Sequence, residues 1–206
     1  MIKLSHEVSL AELFDGVDKS GAAAGSPDLE EMAFLLCRGG WPAACDLKGD
    51  VALNRAFSYK AVIRTSDTRY FTDPSMAAAS LGVGPEDLLN DVKTFGLLFE
   101  TMAVRDLRVY AQALNGAVAH YLDAGGLECD AVVHLRNGRY GLVEIKLGGK
   151  ELIEKGARTL CKLAERINTV RMEEPSFKMV LTATGEYAYR RPDDGVIVCP
   201  LSALRP

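Results

Sequence analysis

The clearest pattern in the chain is an alternation of apolar and polar residues over residues 128–147. Two short runs rich in β-branched residues flank Asn137-Gly138, a pair typical of tight turns. Side chains on a strand point alternately to its two faces, so the pattern predicts a β-hairpin whose second strand has one apolar and one charged face. The apolar face carries Val143, Ile145 and Leu147, and the charged face carries Glu144 and Lys146.

The length of the hairpin loop decides where Asp130 lies. A two-residue loop would place Asp130 opposite Ile145, away from the charged face. A three-residue loop, 136–138, with its glycine in the left-handed conformation, places Asp130 opposite Glu144. We predict the three-residue loop, which collects two carboxylates and the Lys146 ammonium on one patch of sheet.

This predicted patch is costly to build for stability alone. Two carboxylates at cross-strand distance repel each other, and one lysine does not neutralise both. A divalent cation such as Mg²⁺ or Mn²⁺ relieves the repulsion, because hard cations take oxygen ligands. Lys146 would then orient or deprotonate a water for hydrolysis. The competing interpretation is a solvated hairpin face with a cross-strand ion pair, and spacing alone leaves both open.

A second acidic position stands out in residues 95–114, which have the period of an amphipathic helix. Glu100 falls in the middle of the apolar arc, and burying an unpaired charge is expensive. Glu100 therefore needs a partner, either a nearby Arg or Lys or the predicted metal site. The arc consists of Phe99, Ala103, Val104, Leu107, Tyr110, Ala111 and Leu114, and the opposite side of Thr101, Arg105, Arg108 and Gln112.

Another helix is predicted over residues 150–167, directly after the hairpin. From residue 136 to residue 171 the chain has nine Lys or Arg and four Asp or Glu, a local basic excess in an acidic chain. The basic stripe of this helix is suited to follow a phosphate backbone, and a solvated helix face is the competing interpretation. The stripe consists of Lys155, Arg158, Lys162 and Arg166, opposite an apolar face of Ile153, Ala157, Leu160, Ala164 and Ile167.

The remaining pattern indicates an α/β protein. Ser26 is the predicted N-cap, and Pro27 the first residue, of a helix that ends at Gly39-Gly40. Two short strands are predicted around Ser66-Asp67. The fold class that follows is a mixed central sheet flanked by helices, with a small, mostly helical N-terminal appendage. Further strands are predicted over 116–123, 178–184, 186–191 and 195–200, and short helices over 74–82 and 85–91.

Composition and charge exclude some classes of function. The chain has 206 residues, of which 48% are hydrophobic and 25% charged, enough for one sizeable core and a smaller appendage. A formal net charge of −4 argues against a protein that coats nucleic acid non-specifically, but it allows a locally basic groove. Five cysteines without a Cys-x-x-Cys pair are expected to be reduced thiols. The sequence has neither a signal-peptide core nor a long apolar stretch, so we expect a cytoplasmic protein with no membrane partner.

The phosphate-binding loop of ATPases does not occur in the sequence. Its pattern is Gly-x-x-x-x-Gly-Lys-Ser/Thr. The nearest segment, 147–151, has neither the first glycine at the right spacing nor a hydroxyl residue after Lys150. We therefore expect no ATP binding.

A helix with Glu, a strand with Asp and a following strand with Glu-x-Lys resemble the PD-(D/E)XK nuclease superfamily. The chain is more closely similar to the nuclease-like C-terminal domain of predicted AAA+ superfamily ATPases, over most of residues 60–206. Cys129 stands where the superfamily has its proline, a mild departure because the proline has no role in the chemistry. The segments that carry the likeness are 70–75, 96–100, 126–130, 143–148 and 187–192.

The resemblance implies a restriction-endonuclease-like core whose catalytic residues are Glu100, Asp130, Glu144 and Lys146. It also implies that Asp130, Glu144 and the backbone carbonyl of Ile145 hold Mg²⁺ or Mn²⁺. Residues 1–45 would be the C-terminal end of a lost ATPase module, 46–92 a brace or lid, and 93–206 the nuclease-like domain.

Two functions follow as expectations. The first is a metal-dependent nuclease with DNA as its partner. The second is a non-catalytic interaction or accessory domain left from a truncated ATPase, which would bind a protein partner or a second copy of the chain.

Overall fold

A computed structural model describes residues 7–17, 21–22, 26–40, 71–167 and 173–206. These residues form two compact units. One unit comprises the described residues up to Pro27 together with Asp106–Pro206, and the other comprises those of Asp28–Arg105. The strands predicted around Ser66-Asp67 and much of the brace predicted at 46–92 lie outside the described residues, so the division at residues 45 and 92 stays a prediction.

The described residues contain six α-helices, nine strands and one 3₁₀ turn. The helices are α1 (Leu10–Phe14), α2 (Leu29–Arg38), α3 (Pro74–Leu81), α4 (Pro85–Asn90), α5 (Val92–Ala113) and α6 (Lys150–Arg166). The strands are β1 (Val8–Ser9), β2 (Gly21–Ala22), β3 (Gly116–Leu122), β4 (Glu128–Leu135), β5 (Tyr140–Lys146), β6 (Phe177–Thr182), β7 (Tyr187–Arg190), β8 (Ile197–Pro200) and β9 (Leu204–Arg205).

The unit of Asp28–Arg105 is helical in its described part, and α2 packs against both α3 and α4. The N-cap of α2 is Asp28, whose carboxylate accepts a hydrogen bond from the Glu31 N–H at 2.8 Å. The helix therefore begins two residues later than Ser26 predicted. In the other unit, the Ser26 hydroxyl instead shares a hydrogen bond of 2.7 Å with the Ser202 hydroxyl.

The C-terminal strands form one mixed sheet in the order β7–β8–β6–β5–β4–β3, and the two-residue strand β2 pairs with β7. The β5, β6 and β8 strands are parallel to one another, while β3, β4 and β7 run antiparallel to their neighbours. The parallel β5–α6–β6 connection is a helical crossover, as parallel pairing requires. The predicted mixed sheet flanked by helices is confirmed; its restriction-endonuclease-like identity stays a prediction.

Both faces of the central strand β5 are buried. On one face α6 packs against the sheet, where Leu142, Leu160 and Val180 share one apolar cluster. On the other face the rings of Phe14 in α1 and Phe177 in β6 meet edge to face, with centroids 5.1 Å apart. Since both faces are covered, any polar side chain on β5 must find its partners inside the protein.

The unit that contains the large sheet also has a second, two-stranded sheet. The β1 strand pairs in parallel with β9, with Val8 opposite Leu204. The Ser9 hydroxyl donates to the Pro206 carbonyl oxygen at 2.8 Å. This pairing joins residues that are almost two hundred positions apart in the sequence.

The predicted apolar arc of α5 is buried at most of its positions, including Phe99, Val104 and Leu107. Thr101, which was expected on the polar side, is also buried. Its hydroxyl donates to the Leu97 carbonyl oxygen at 3.0 Å, so the buried polar group is satisfied within the helix. Glu100 is half-buried and belongs to the unit of Asp28–Arg105.

Candidate functional site

The predicted hairpin is confirmed, including the length of its loop. Ala131 pairs with Val143, and the Leu135 N–H donates to the Arg139 carbonyl oxygen at 2.8 Å, which leaves a three-residue loop, 136–138. Gly138 has φ of +90°, a conformation that glycine adopts without the strain a Cβ would cause. Continued by one residue, this register sets Asp130 opposite Glu144.

Three charged side chains meet where β4 and β5 separate. The Lys146 Nζ lies 2.7 Å from Glu144 Oε2 and 2.9 Å from Asp130 Oδ2. The side chains of Asp130, Glu144 and Lys146 are 13%, 6% and 19% exposed. We call these three residues the charged trio. The sequence predicted that they converge, but it did not predict that they would be largely buried.

A β-bulge in β4 lies at Asp130, next to the other two residues of the trio. Between the pairs Ala119–Val132 and Tyr121–Cys129, one residue of β3 faces two residues of β4, Asp130 and Ala131. The regular ladder between β4 and β5 ends at Ala131, and the N–H of Ile145 donates to the Asp130 carboxylate at 2.7 Å. A side-chain oxygen thus takes the place of a strand carbonyl, and bulges commonly re-aim side chains in this way.

The helix α6 packs over Glu144, and Gly156 allows the helix backbone to come close to that side chain. A Cβ at Gly156 would lie 3.3 Å from the Glu144 Cβ and 3.2 Å from a Val180 methyl. Sequence reasoning missed this residue. The signal was present, because a glycine inside the apolar face of a helix costs about 1 kcal/mol relative to alanine and calls for a packing reason.

Burial and the neighbouring opposite charge shift the pKa values of Glu144 and Lys146 in opposite directions. Burial raises the pKa of Glu144 to about 7 and Asp130 adds to the rise, while Lys146 lowers it. Burial lowers the pKa of Lys146, but Asp130 and Glu144 outweigh that effect and raise it above its ordinary value. Lys146 is therefore a stable cation at neutral pH, whereas Glu144 is close to the midpoint of its titration.

Cys129, the residue before Asp130, is a buried structural residue. Its thiol donates weakly to the carbonyl oxygens of Val143 at 3.4 Å and Ala131 at 3.5 Å. Burial, with a contribution from Glu144, raises the pKa of the Cys129 thiol to about 12. The thiol stays protonated at neutral pH, so it is not a nucleophile.

The fit of the site to a metal ion depends on its two carboxylates. Within the described ranges, no three side chains of His, Cys, Asp or Glu form a metal-binding group. Both hydrogen bonds to Asp130 fall on Oδ2, which leaves Oδ1 without a donor among the described residues, and Lys146 contacts Glu144 through Oε2. Mg²⁺ typically keeps several waters and binds through one or two carboxylates, so this pair fits such an ion. The contribution of the Ile145 carbonyl stays a prediction.

The roles of the other predicted site residues stay predictions. Glu100 is in the unit of Asp28–Arg105, has interaction partners of its own, and its place in the chemistry stays a prediction. The basic stripe of α6 is exposed, as predicted. Two of its members form ion pairs, Arg158 with Glu154 at 3.6 Å and Arg166 with Asp123 at 2.8 Å.

Membrane insertion receives no support from the helices. None of those in the described part of the chain has the length and apolar character needed to span a bilayer.

Comparison with known proteins places the chain in a family. No curated protein matches it, and neither does any solved structure. A family model described as a domain of unknown function, DUF4143, matches residues 95–204. The matched segment begins in α5 and includes the whole C-terminal sheet with α6. This family is associated with the C-terminal regions of AAA ATPases. Because the match covers more than half of the chain, the protein belongs to the DUF4143 family.

Proposed function

We propose that the protein is a metal-dependent phosphodiesterase that cleaves nucleic acid at the charged trio. The observation that carries the proposal is the position of the Lys146 ammonium within 2.9 Å of both carboxylates, at the diverging ends of two strands. Two largely buried carboxylates at one point favour a cation, and phosphodiester hydrolysis needs positive charge where the transition state becomes more negative.

Each residue of the trio has a distinct role in this proposal. Asp130 and Glu144, with the Ile145 carbonyl, hold Mg²⁺ or Mn²⁺, which supplies Lewis-acid stabilisation of the phosphate oxygens. Lys146 orients the attacking water and stabilises the negative charge that develops on the phosphorane. Water adds to phosphorus in line with the leaving oxygen, the P–O bond to that oxygen breaks, and the leaving oxygen takes up a proton. A catalytic role for Glu100 stays a prediction.

One observation favours the second candidate function, a non-catalytic interaction domain. Lys146 already contacts both carboxylates, and a pKa of about 7 leaves Glu144 partly protonated at neutral pH. The trio therefore carries little net charge without an ion and also suits a purely structural role. Such a domain would bind a protein partner or a second copy of the chain, without ATP.

Metal binding and cleavage separate the two candidates when measured on the same variants. Mn²⁺ should raise the thermal midpoint of the wild type, and Asp130→Asn with Glu144→Gln should lose that rise. With Mg²⁺ or Mn²⁺, the wild type should nick supercoiled DNA or cleave single-stranded DNA. Lys146→Ala should keep metal binding but lose cleavage, while Lys150→Ala, at an exposed position just after the hairpin, should lose neither.

A purely structural role for the trio predicts a different result. If Mn²⁺ leaves the thermal midpoint unchanged and no DNA form is cleaved, the trio is structural and the interaction domain becomes the conclusion. Circular dichroism of each variant shows that a loss of cleavage does not come from loss of the fold.

A further inference from the structure

An apolar groove of about 510 Å³ lies on the sheet between the C-terminal end of α6 and strands β3–β5. Its walls include Tyr121 on β3, Leu142 on β5 and Leu163 on α6. Tyr121 is half-buried, so one part of its ring packs against the core and the rest faces the groove. None of the described residues that line the groove is acidic.

The groove and the charged trio share one face of the sheet. Gly156 of α6 approaches both Glu144 and Val180, and Val180 belongs to the same cluster as Leu142 and Leu163. Leu142 and Glu144 are two positions apart on β5, which corresponds to about 7 Å along a strand. The groove wall at Leu142 and the trio residue Glu144 are therefore close neighbours on the same face of β5.

Two basic side chains, Lys162 and Arg166, and one acidic side chain, Asp123, stand near the rim of the groove. Arg166, the last residue of the basic stripe, lines the groove with its side chain 59% exposed. Its guanidinium is held by Asp123 at 2.8 Å, and Gly125 and Leu127 donate backbone hydrogen bonds to the same aspartate. Lys162, one turn earlier on α6, is exposed on the same stripe. His134 on β4 is a further exposed residue that lines the groove.

An apolar slot with an aromatic wall and two basic side chains near its rim matches a flat base attached to an anionic backbone. In single-stranded nucleic acid the bases are free to stack on aromatic side chains, whereas in a duplex they are paired and stacked on each other. We propose that the groove binds an unpaired base of single-stranded nucleic acid, with its phosphates along Lys162 and Arg166. The trio would then act on single strands or unpaired ends rather than on blunt duplex; this substrate choice rests on the proposed function, but the binding itself does not.

The test measures binding without cleavage, using the wild-type chain in EDTA. Fluorescence anisotropy compares a labelled twelve-nucleotide dT strand with a blunt duplex of equal length. The wild type should bind the single strand at least tenfold more tightly than the duplex. Tyr121→Ser should weaken single-strand binding by about five- to a hundredfold, the range expected for the loss of one base–aromatic stack. Tyr121→Phe keeps the ring and should bind like the wild type.

Two further variants keep the test decisive. Tyr187→Ser removes an aromatic ring that is 55% exposed on β7, away from the groove, and should leave binding unchanged. His134→Glu places a carboxylate on the groove wall at an exposed position where the fold tolerates it, and should weaken single-strand binding even if Tyr121→Ser is unstable.

Equal affinity for both DNA forms, or unchanged binding by Tyr121→Ser and His134→Glu, would overturn the proposal. So would an apolar fluorescent dye that binds the groove and is not displaced by the dT strand, since the occupant would then be another class of ligand. If the protein binds single strands selectively but does not cleave them in the presence of metal, the groove proposal stands and the nuclease proposal is wrong. If it cleaves both DNA forms and Tyr121→Ser does not change the cleavage, the nuclease proposal stands and the groove proposal is wrong.

Discussion

Lys146 and Glu144 form an ion pair of 2.7 Å although only one residue separates them on the same strand. Alternation places both side chains on the face covered by α6, where solvent does not screen their interaction. Lys146 therefore occupies the position from which a cation would neutralise the carboxylates. Any ion that binds there competes with this ammonium.

Lys146→Met should destabilise the metal-free protein and tighten its metal binding. Without the ammonium, two largely buried carboxylates lose their common partner, so the free energy of unfolding at pH 7.5 should fall by about 3 kcal/mol. Mn²⁺ should restore part of that loss and should bind more tightly than to the wild type. Urea denaturation with and without Mn²⁺ measures both effects. Lys150→Met should change neither, and equal stability of Lys146→Met and the wild type would contradict the prediction.

The raised pKa of Glu144 makes the stability of the metal-free protein depend on pH. The folded protein keeps the Glu144 proton up to a pKa of about 7, whereas the unfolded chain releases it near 4.5. The stabilisation is complete below 4.5 and is lost as pH rises through about 7. Between pH 4.5 and 8 the wild type should lose on the order of 1–3 kcal/mol relative to Glu144→Gln, which cannot titrate. Urea denaturation of both proteins at several pH values checks this, and parallel curves would show that Glu144 titrates normally.

The absence of a side chain at Gly156 allows α6 to pack closely over Glu144 and Val180. Gly156→Leu should push the helix away from Glu144 and Val180, lower the free energy of unfolding by about 1–3 kcal/mol and weaken Mn²⁺ binding. Gly156→Ala is the matched control. Its single methyl group meets contacts of 3.2–3.3 Å but gains helix propensity, so it should change stability by less than about 1 kcal/mol. Thermal unfolding and Mn²⁺ titration measure the two effects, and a Leu variant as stable as the Ala variant would contradict the close approach.

Thiol alkylation of the folded protein should be selective. Burial raises the thiol pKa of Cys37, Cys129 and Cys199 to about 12, so these residues stay protonated and shielded at pH 8. Cys161 is half-buried and should react first among the four described cysteines. Iodoacetamide labelling followed by peptide mass spectrometry checks the order. Rapid labelling of Cys129 would mean that the site around the trio opens in solution.

The hairpin shows how much of the site the sequence contains. The turn residues allow a loop of two or three residues, and the loop length sets the register, so the position of Asp130 opposite Glu144 follows from local information once the three-residue loop is chosen. The burial of Glu144 does not follow, because it depends on where α6 packs and on a close approach at Gly156. The bulge at Asp130 also escaped prediction, since it involves the pairing of three strands.

In the helices, too, some features could be predicted from the sequence and others could not. Periodicity predicted α5 and α6 and most of the buried positions of α5. On α6, Ala157 and Leu160 are buried as predicted, whereas Ile153, Ala164 and Ile167 are only half-buried and the buried Leu163 was missed. Two details of α2 and α5 depended on hydrogen bonds that periodicity does not report: Ser26 bonds Ser202 rather than capping α2, and Thr101 satisfies its own hydroxyl within α5. The partner of Glu100 could not be predicted either, because the pattern of a single helix does not show which neighbour faces a given side chain.

The pairing of β1 with β9 has a consequence for how the chain folds during synthesis. The hairpin that carries the trio joins residues about fifteen positions apart, so it can form soon after α6 leaves the ribosome. Val8 must wait for Leu204 before its strand has a partner. The N-terminal strand should therefore remain open to chaperones and proteases throughout translation and close last, after the trio has already formed.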